Sequence, residues 1–171
     1  VKFGESPKLI KERLEKVGIR PLGNVIDVTN YMMMDKGQPM HVFDYEKIVG
    51  GKMIVRESKE GEVITTLDGV TRKLPAGVIV IEDGGGRLID LCGIMGAKNS
   101  EVDENTKKIL LFVQVYDPVR IRKASMVLGH RTEAALRFEK GIDYEGVIPA
   151  LWESVKMIKK LTGAVVSSEL I

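Results

Sequence analysis

Residues 78–91 read Val-Ile-Val-Ile-Glu-Asp-Gly-Gly-Gly-Arg-Leu-Ile-Asp-Leu, two short aliphatic runs on either side of a glycine triplet. Runs of that length are strand-sized, and glycines between them supply the backbone freedom that reverses a chain within a few residues. The stretch therefore predicts strands at Val78–Ile81 and Arg87–Leu91, reversed at Gly84–Gly86. The same texture extends outward from Gly50 to Val115. Met53–Arg56, Val63–Leu67 and Ile109–Val115 are further strand candidates, and Asp68-Gly69 is a second hairpin turn. Strands this dense imply stacked sheets or a barrel.

Helical patterns flank the β region. Ser6-Pro7 offers an N-cap and a first-turn proline before Ile10, Leu14 and Val17, which fall on one face ahead of Gly18. Asn24 is a candidate cap for a second helix reaching about Met34, with Val25, Val28 and Met32 inward and Gly37-Gln38-Pro39 ending it. Beyond the strands, Asp117-Pro118 opens a helix with Ile121, Ala124 and Leu128 on one side, Thr132–Lys140 reads as another, and Tyr144–Leu161 as the last. No internal repeat or linker interrupts the chain. The expected fold class is α+β: one module over residues 1–171, with β-sandwich-like sheets flanked by helices.

Composition excludes several functions. With 44% hydrophobic and 29% charged residues in 171, the chain carries enough apolar material for a real core. Lys plus Arg number 26 against 24 Asp plus Glu, so a net charge of +2 cannot supply the long-range field of an autonomous nucleic-acid binder. A single cysteine, Cys92, excludes an internal disulfide framework, and with only His41 and His130 beside it no Cys/His zinc site is expected. Together these predict a reducing, cytosolic setting. No apolar run approaches the roughly 18 residues that span a bilayer, so no membrane partner is expected. The chain begins at Val1 without a charged and apolar leader, and is expected to be a piece of a longer protein.

Three blocks concentrate polar chemistry. The first runs from Arg20-Pro21 through Asp27-Val28-Thr29-Asn30-Tyr31 to Gly37-Gln38-Pro39-Met40-His41-Val42-Phe43-Asp44. It reads as a pocket in which Arg20 holds an anion or carbonyl, Thr29 and Asn30 give directional hydrogen bonds, and His41 orients a group or a water. The same residues also fit plain capping and a satisfied turn histidine. The second block, Gly93-Ile94-Met95-Gly96-Ala97-Lys98-Asn99-Ser100, follows a strand candidate but lacks the Walker and dinucleotide spacings, which favours a tight turn over a nucleotide loop. In the third, Gly129–Asp143, Thr132 is a natural helix cap whose hydroxyl would face whatever lies at the helix start. Arg120, Arg122, Lys123, Arg131 and Arg137 are spread over helix faces without aromatics between them and read as a solvated surface with at most a minor phosphate role. Cys92 falls in a strand candidate and is expected to pack, so covalent catalysis is disfavoured.

In this order the blocks resemble the editing module of the bacterial phenylalanyl-tRNA synthetase β subunit. The resemblance is carried by Gly18-Ile19-Arg20-Pro21, Asn24–Tyr31, Gly37–His41 with Phe43-Asp44, Thr66-Leu67-Asp68-Gly69, Gly93–Gly96, Asp117-Pro118, Arg131–Ala134, Arg137-Phe138-Glu139 and Gly141-Ile142-Asp143. It implies an unusual sandwich of strand layers with helices around it, inside a longer cytoplasmic β subunit. That subunit pairs with a catalytic α subunit in an α2β2 holoenzyme, where the ATP and Mg of the ligase reaction belong; the module itself is expected to use neither cofactor nor metal. The implied substrate is the 3′ end of the phenylalanine tRNA wrongly esterified with tyrosine. A pocket for phenylalanine rejects an added hydroxyl only about 10²-fold, which calls for a second, hydrolytic sieve.

By motif position the resemblance assigns Arg20 and His41 to the terminal adenosine and ester, and Thr132 with Ala134 to the amino-acid end. Gly96 is to expose backbone, and Thr29, Asn30 and Pro39 are to complete the lining. A positioned water, helped by a ribose hydroxyl, is expected to attack the ester. Two positions depart from the pattern. Phe112 follows Ile109-Leu110-Leu111 where the family carries the glutamate that meets the tyrosine hydroxyl, and Ala97 replaces a second glycine, so that its methyl would narrow the approach to the substrate. Two functions stay open on the sequence: an ester hydrolase, motivated by the Arg20, His41 and Thr132 blocks, and an editing-inactive, tRNA-positioning module, motivated by Phe112. A free-standing sugar- or nucleotide-binding domain is a weaker third.

Overall fold

A computed structural model describes residues 1–170. Helix α1, Lys8–Lys16, starts at Pro7 and buries Ile10 and Leu14. Ser6 does not cap it. Its hydroxyl instead donates to Asp27 Oδ2 at 2.6 Å, while the Leu22 amide donates to Oδ1 at 2.7 Å. Asp27 is fully buried, so it is neither solvated nor a helix cap but the clamp that ties the N-terminal segment to the second helix. Removing the hydroxyl with Ser6→Ala leaves that carboxylate one donor short and is expected to cost about 1–3 kcal/mol, read as a lower denaturant midpoint at unchanged slope.

Helix α2, Asn24–Lys36, is preceded by Gly23 at φ 138° and closed by Gly37 in the left-handed region. A Cβ on Gly23 would lie 2.8 Å from the Phe3 ring, so glycine is needed for both conformation and space. Asn24 is not the cap that its residue type predicts: its side chain accepts from Gly4 N and donates to Lys2 O, anchoring the N-terminal strap.

The strands are β1 Met40–Asp44, β2 Met53–Glu57, β3 Val63–Thr65, β4 Thr71–Lys73, β5 Ile79–Asp83, β6 Leu88–Leu91, β7 Met95–Gly96 and β8 Ile109–Val113. They form an antiparallel four-stranded sheet in the order β2-β5-β6-β7, a β1-β8 ribbon and a β3-β4 hairpin, stacked rather than closed into a barrel. Asp68-Gly69 and the glycine triplet do turn the two hairpins. Strands β1, β4 and β7 were not expected from the sequence. Helices α3 Pro118–Val127, α4 Glu133–Phe138 and α5 Val147–Thr162 follow, with Tyr144–Gly146 a separate 3₁₀ turn rather than the start of the last helix.

The β1-β8 ribbon lies in the middle of three layers. Successive residues of a strand point to opposite faces. Met40, Ile109 and Leu111 pack with Val28 and Met32 of α2 and Ala150 and Ile158 of α5. Phe43, Leu110 and Phe112 point the other way, into the main core with Ile81, Ile89 and Leu91 of the four-stranded sheet. Helices α3 and α4 close one side of that core with Ile121, Ala124, Ala135 and Phe138. The α+β architecture with helices around stacked sheets is as expected. No helix of the described residues is long and apolar enough to cross a membrane.

Candidate functional site

The inner face of the ribbon carries His41 directly opposite Phe112 in the β1-β8 register. The His41 ring meets Phe43 edge-on with centroids 4.4 Å apart, and Phe43 stands 6.1 Å from Phe112 in the same manner. Across the layer lies Gly96. A Cβ there would sit 2.4 Å from His41 Cε1 and Nε2, so the imidazole occupies the space where any other residue would place its side chain. Gly96 is therefore buried beneath the histidine, whereas the resemblance implied that it would expose backbone.

His41 is on a strand, not a turn. Its Nε2 is enclosed with no hydrogen-bond partner, and the loss of water lowers its pKa to about 4. The ring is thus neutral at pH 7, with Nε2 closed against Gly96 and left without a partner. Thr132 caps α4 as expected, accepting from Ala135 N at 3.1 Å. Its proton is committed to the Ile94 carbonyl at 2.9 Å, which fixes α4 to the turn just before Gly96 rather than aiming a free hydroxyl outward. Ala134 packs against the same core.

Pro39 is buried immediately before β1, and the Gln38 amide beside it donates to the carbonyls of Pro39 and Gln114. Arg20, Thr29 and Asn30 belong to the helical layer. Thr29 donates to Ile26 O within α2, Asn30 is half-buried, and Arg20 is exposed ahead of α2. No side-chain hydrogen bond among the described residues joins these three to His41, Gly96 or Thr132. The layers touch through α4, where Arg137 Nη2 lies 3.0 Å from Met34 Sδ of α2.

Ala97 does not narrow the approach to Gly96. As the next residue along it faces the other way and is buried in the core, with its amide on the Ile89 carbonyl. The Gly93–Ser100 block turns tightly only at its start, where Gly93 has φ 69° and a Cβ would strike Ile121 at 2.7 Å, and then runs on as β7 and a 3₁₀ turn at Lys98–Ser100.

Beside Phe112 an open cleft of about 460 Å³ separates the ribbon from the four-stranded sheet, walled by Val55, Glu57, Ile79, Phe112, Gln114 and Tyr116. Another cleft, about 540 Å³ between the β3 and β6 regions, contains none of the candidate residues.

Comparison with known proteins fixes the family. The model of the B3/4 domain matches residues 1–163. The chain belongs to the B3/4 domain family. Phenylalanine–tRNA ligase β subunits are among the relatives of this B3/4 domain: one from Carboxydothermus hydrogenoformans is 45% identical over 97% of the chain, and one from Dehalococcoides mccartyi is 46% identical over all of it. A third, from Protochlamydia amoebophila, is 40% identical over the whole chain. In each case the chain spans 21% of the relative's length. The resemblance drawn from the sequence blocks is thereby upheld.

Sequence reasoning missed one titratable group in this B3/4 domain. Asp90 on β6 is 3% exposed in a strand buried at every residue, and burial pushes its pKa up to about 7. The available signal was an acid in the otherwise aliphatic run Leu88-Ile89-Asp90-Leu91, whose lack of polar alternation marks a strand covered on both faces. Cys92 packs as expected, its thiol held well above the ordinary range by burial. Of the dispersed basic residues, Arg120 pairs with Glu57, Arg122 and Arg131 share Glu139, and Arg137 pairs with Glu133, while Lys123 is in no ion pair among the described residues, so most of this charge is matched locally.

Proposed function

We propose that this B3/4 domain is the editing region of a phenylalanine–tRNA ligase β subunit and hydrolyses tyrosine wrongly esterified to the phenylalanine tRNA. The observation that carries the reading is the imidazole of His41, seated on Gly96 with its Nε2 enclosed and unpartnered, on the strand opposite Phe112 of the cleft wall. An orphaned polar atom in an enclosed site is costly unless a ligand or water satisfies it. A neutral imidazole of pKa about 4 is a weak base at pH 7, so its role is to hold a water or the ester in line rather than to remove a proton outright.

In the proposed reaction a water oxygen attacks the ester carbonyl carbon, and the bond from that carbon to the ribose oxygen breaks. The ribose oxygen leaves with a proton from the water, and tyrosine departs as the free amino acid. Burial keeps the Cys92 thiol protonated and so disfavours it as a nucleophile. Arg20, exposed ahead of α2, would meet the tRNA terminus, with Thr29 and Asn30 along the same helix. ATP and Mg would serve ligation on the catalytic α subunit of the holoenzyme, to which the remainder of the β subunit would connect this domain.

Release of free tyrosine from preformed tyrosyl-tRNA by the assembled ligase, above the rate in buffer, tests the reading. Arg20→Ala is expected to raise KM about fivefold with kcat little changed, as for loss of one exposed charge contact. A second reading, an editing-inactive module that only positions tRNA, is favoured by Phe112. A phenyl ring at the cleft wall accepts no hydrogen bond from a tyrosine hydroxyl.

A further inference from the structure

The sheet that walls the cleft runs on toward His41. On the four-stranded sheet, Glu57 stands opposite Ile79 and Val55 opposite Ile81 in the β2-β5 register, and Ile81 opposite Asp90 in the β5-β6 register. The Cys92 amide bonds the Ile79 carbonyl, and Asp90 stands opposite Gly96. Directly paired residues share a face. The cleft wall made by Val55, Glu57 and Ile79 is therefore continuous with Cys92, Asp90 and Gly96, and ends beneath the His41 ring. Asp90 is thus placed between the cleft and the imidazole.

This inner end is polar and unsatisfied. Tyr116 is 9% exposed, with the Cys92 thiol and the Gln114 side chain beside its hydroxyl but no well-formed hydrogen bond, and Gln114 Oε1 and His41 Nε2 are enclosed without partners. Among the described residues no nitrogen or oxygen donor reaches the Asp90 carboxyl, which has only the Cys92 thiol beside it. Near neutral pH that carboxyl holds its proton for part of the time, so it can both donate and accept. The cleft mouth is charged, with Arg56, Glu57, Asp117 and Arg120, while Ile79, Phe112 and Tyr116 supply its apolar wall. Mixed donors and acceptors buried behind that wall suit a ring bearing a neutral hydroxyl better than a bare ring.

We propose that Asp90, aided by Tyr116 and Gln114, is the specificity-determining residue of the pocket and reads the hydroxyl of a phenolic amino-acid side chain. The proposal deepens the editing function and rests on it for the identity of the ligand. It assigns to β6 the recognition that Phe112 on β8 cannot perform. Phe112 and Ile79 then flank the ring, and Asp90 discriminates.

Binding separates recognition from hydrolysis. The probes are 3′-amide-linked tyrosyl- and phenylalanyl-adenosine, which cannot be hydrolysed as esters, titrated into the assembled ligase with its synthetic site blocked by a phenylalanyl-adenylate analogue. The parent is expected to bind the tyrosyl probe about tenfold or more tighter than the phenylalanyl one, as for a buried hydroxyl that gains its partners. Asp90→Leu should erase the difference by weakening the tyrosyl probe while leaving the phenylalanyl probe within a factor of about two. Tyr116→Phe, which keeps the ring packed, should reduce the preference about threefold and guards against a folding defect in the leucine variant. A parent that does not discriminate, or a folded Asp90→Leu variant that discriminates as well as the parent, overturns the proposal. Discrimination intact with no release of tyrosine from the ester would sink the hydrolytic function and leave the assignment of Asp90 standing.

Discussion

Gly96→Ala in the assembled ligase is expected to slow tyrosine release about 100-fold, close to the loss from His41→Ala, although alanine adds a single methyl and changes no charge. The reason is geometric. The added Cβ would lie 2.4 Å from two atoms of the His41 ring, a separation that real contacts do not reach, so the imidazole must swing off its seat. The ring is held on its far edge by Phe43 at 4.4 Å, and Phe43 is fully buried, so the displacement is not absorbed by a free side chain. Because glycine and histidine act as one unit, the double variant should be little worse than either single one. Steady-state deacylation of the four proteins measures this. Full activity in Gly96→Ala would show that the stacked position of His41 is irrelevant to the chemistry.

Asp90→Asn is expected to raise stability at pH 8 by up to about 4 kcal/mol, and hardly at all at pH 4. Burial raises the carboxyl from 3.8 to about 7 in the folded chain. Between those values the folded state binds more protons than the unfolded one, so this group's contribution is fully present below 3.8 and is lost as pH rises to about 7. Asparagine has no proton to lose and removes the penalty. His41 has the opposite sign: with its pKa lowered from 6.5 to about 4, the unfolded state is favoured as pH falls through that window. Glu62, held at about 2 chiefly by its hydrogen bond to Arg56, likewise favours the folded state only while pH stays above that carboxylate range. Comparing parent and Asp90→Asn at each pH cancels both. Urea denaturation at pH 4, 6 and 8 gives the three differences; equal differences at all three would mean that Asp90 ionises in the folded chain as it does in water.

What the sequence disclosed and what it hid follow from the layering. Helix α1 was legible because Ile10 and Leu14 are its only buried residues, so its polarity repeats at the helical period. The glycine triplet and Asp68-Gly69 were legible because turns depend on local backbone freedom. Strand β1 was hidden because both of its faces are covered, Met40 by helices and Phe43 by sheet, so Met-His-Val-Phe-Asp shows no alternation of polar and apolar residues. Its partner β8 lies far along the chain, with no local turn to announce the pair. Strand β4 was hidden for the reverse reason: Thr71 and Lys73 are exposed and read as loop. Ser6 and Asn24 have the chemistry of caps, but their hydrogen bonds go to tertiary partners that no local pattern reveals.

The candidate site divides in the same way. Motif order put His41, Gly96, Phe112, Thr132 and Ala134 on one short roster, and the structure gathers them about one layer. Arg20, Thr29 and Asn30 lie with α2, on the other side of the ribbon's midline. Asp90 was absent because a lone acid in an aliphatic strand carries no motif. Only register, which sets it opposite Gly96, gives it a place near the imidazole.

The most direct test of the editing function is a time course of free tyrosine released from tyrosyl-tRNA for phenylalanine, comparing the ligase that carries this chain with its Phe112→Glu variant. The parent is expected to release tyrosine well above buffer and within a few-fold of the variant, as follows from the roles proposed for Asp90 in reading the hydroxyl and for the seated His41 in hydrolysis. Release by the Phe112→Glu variant alone would contradict this and leave the domain as a positioning element for tRNA.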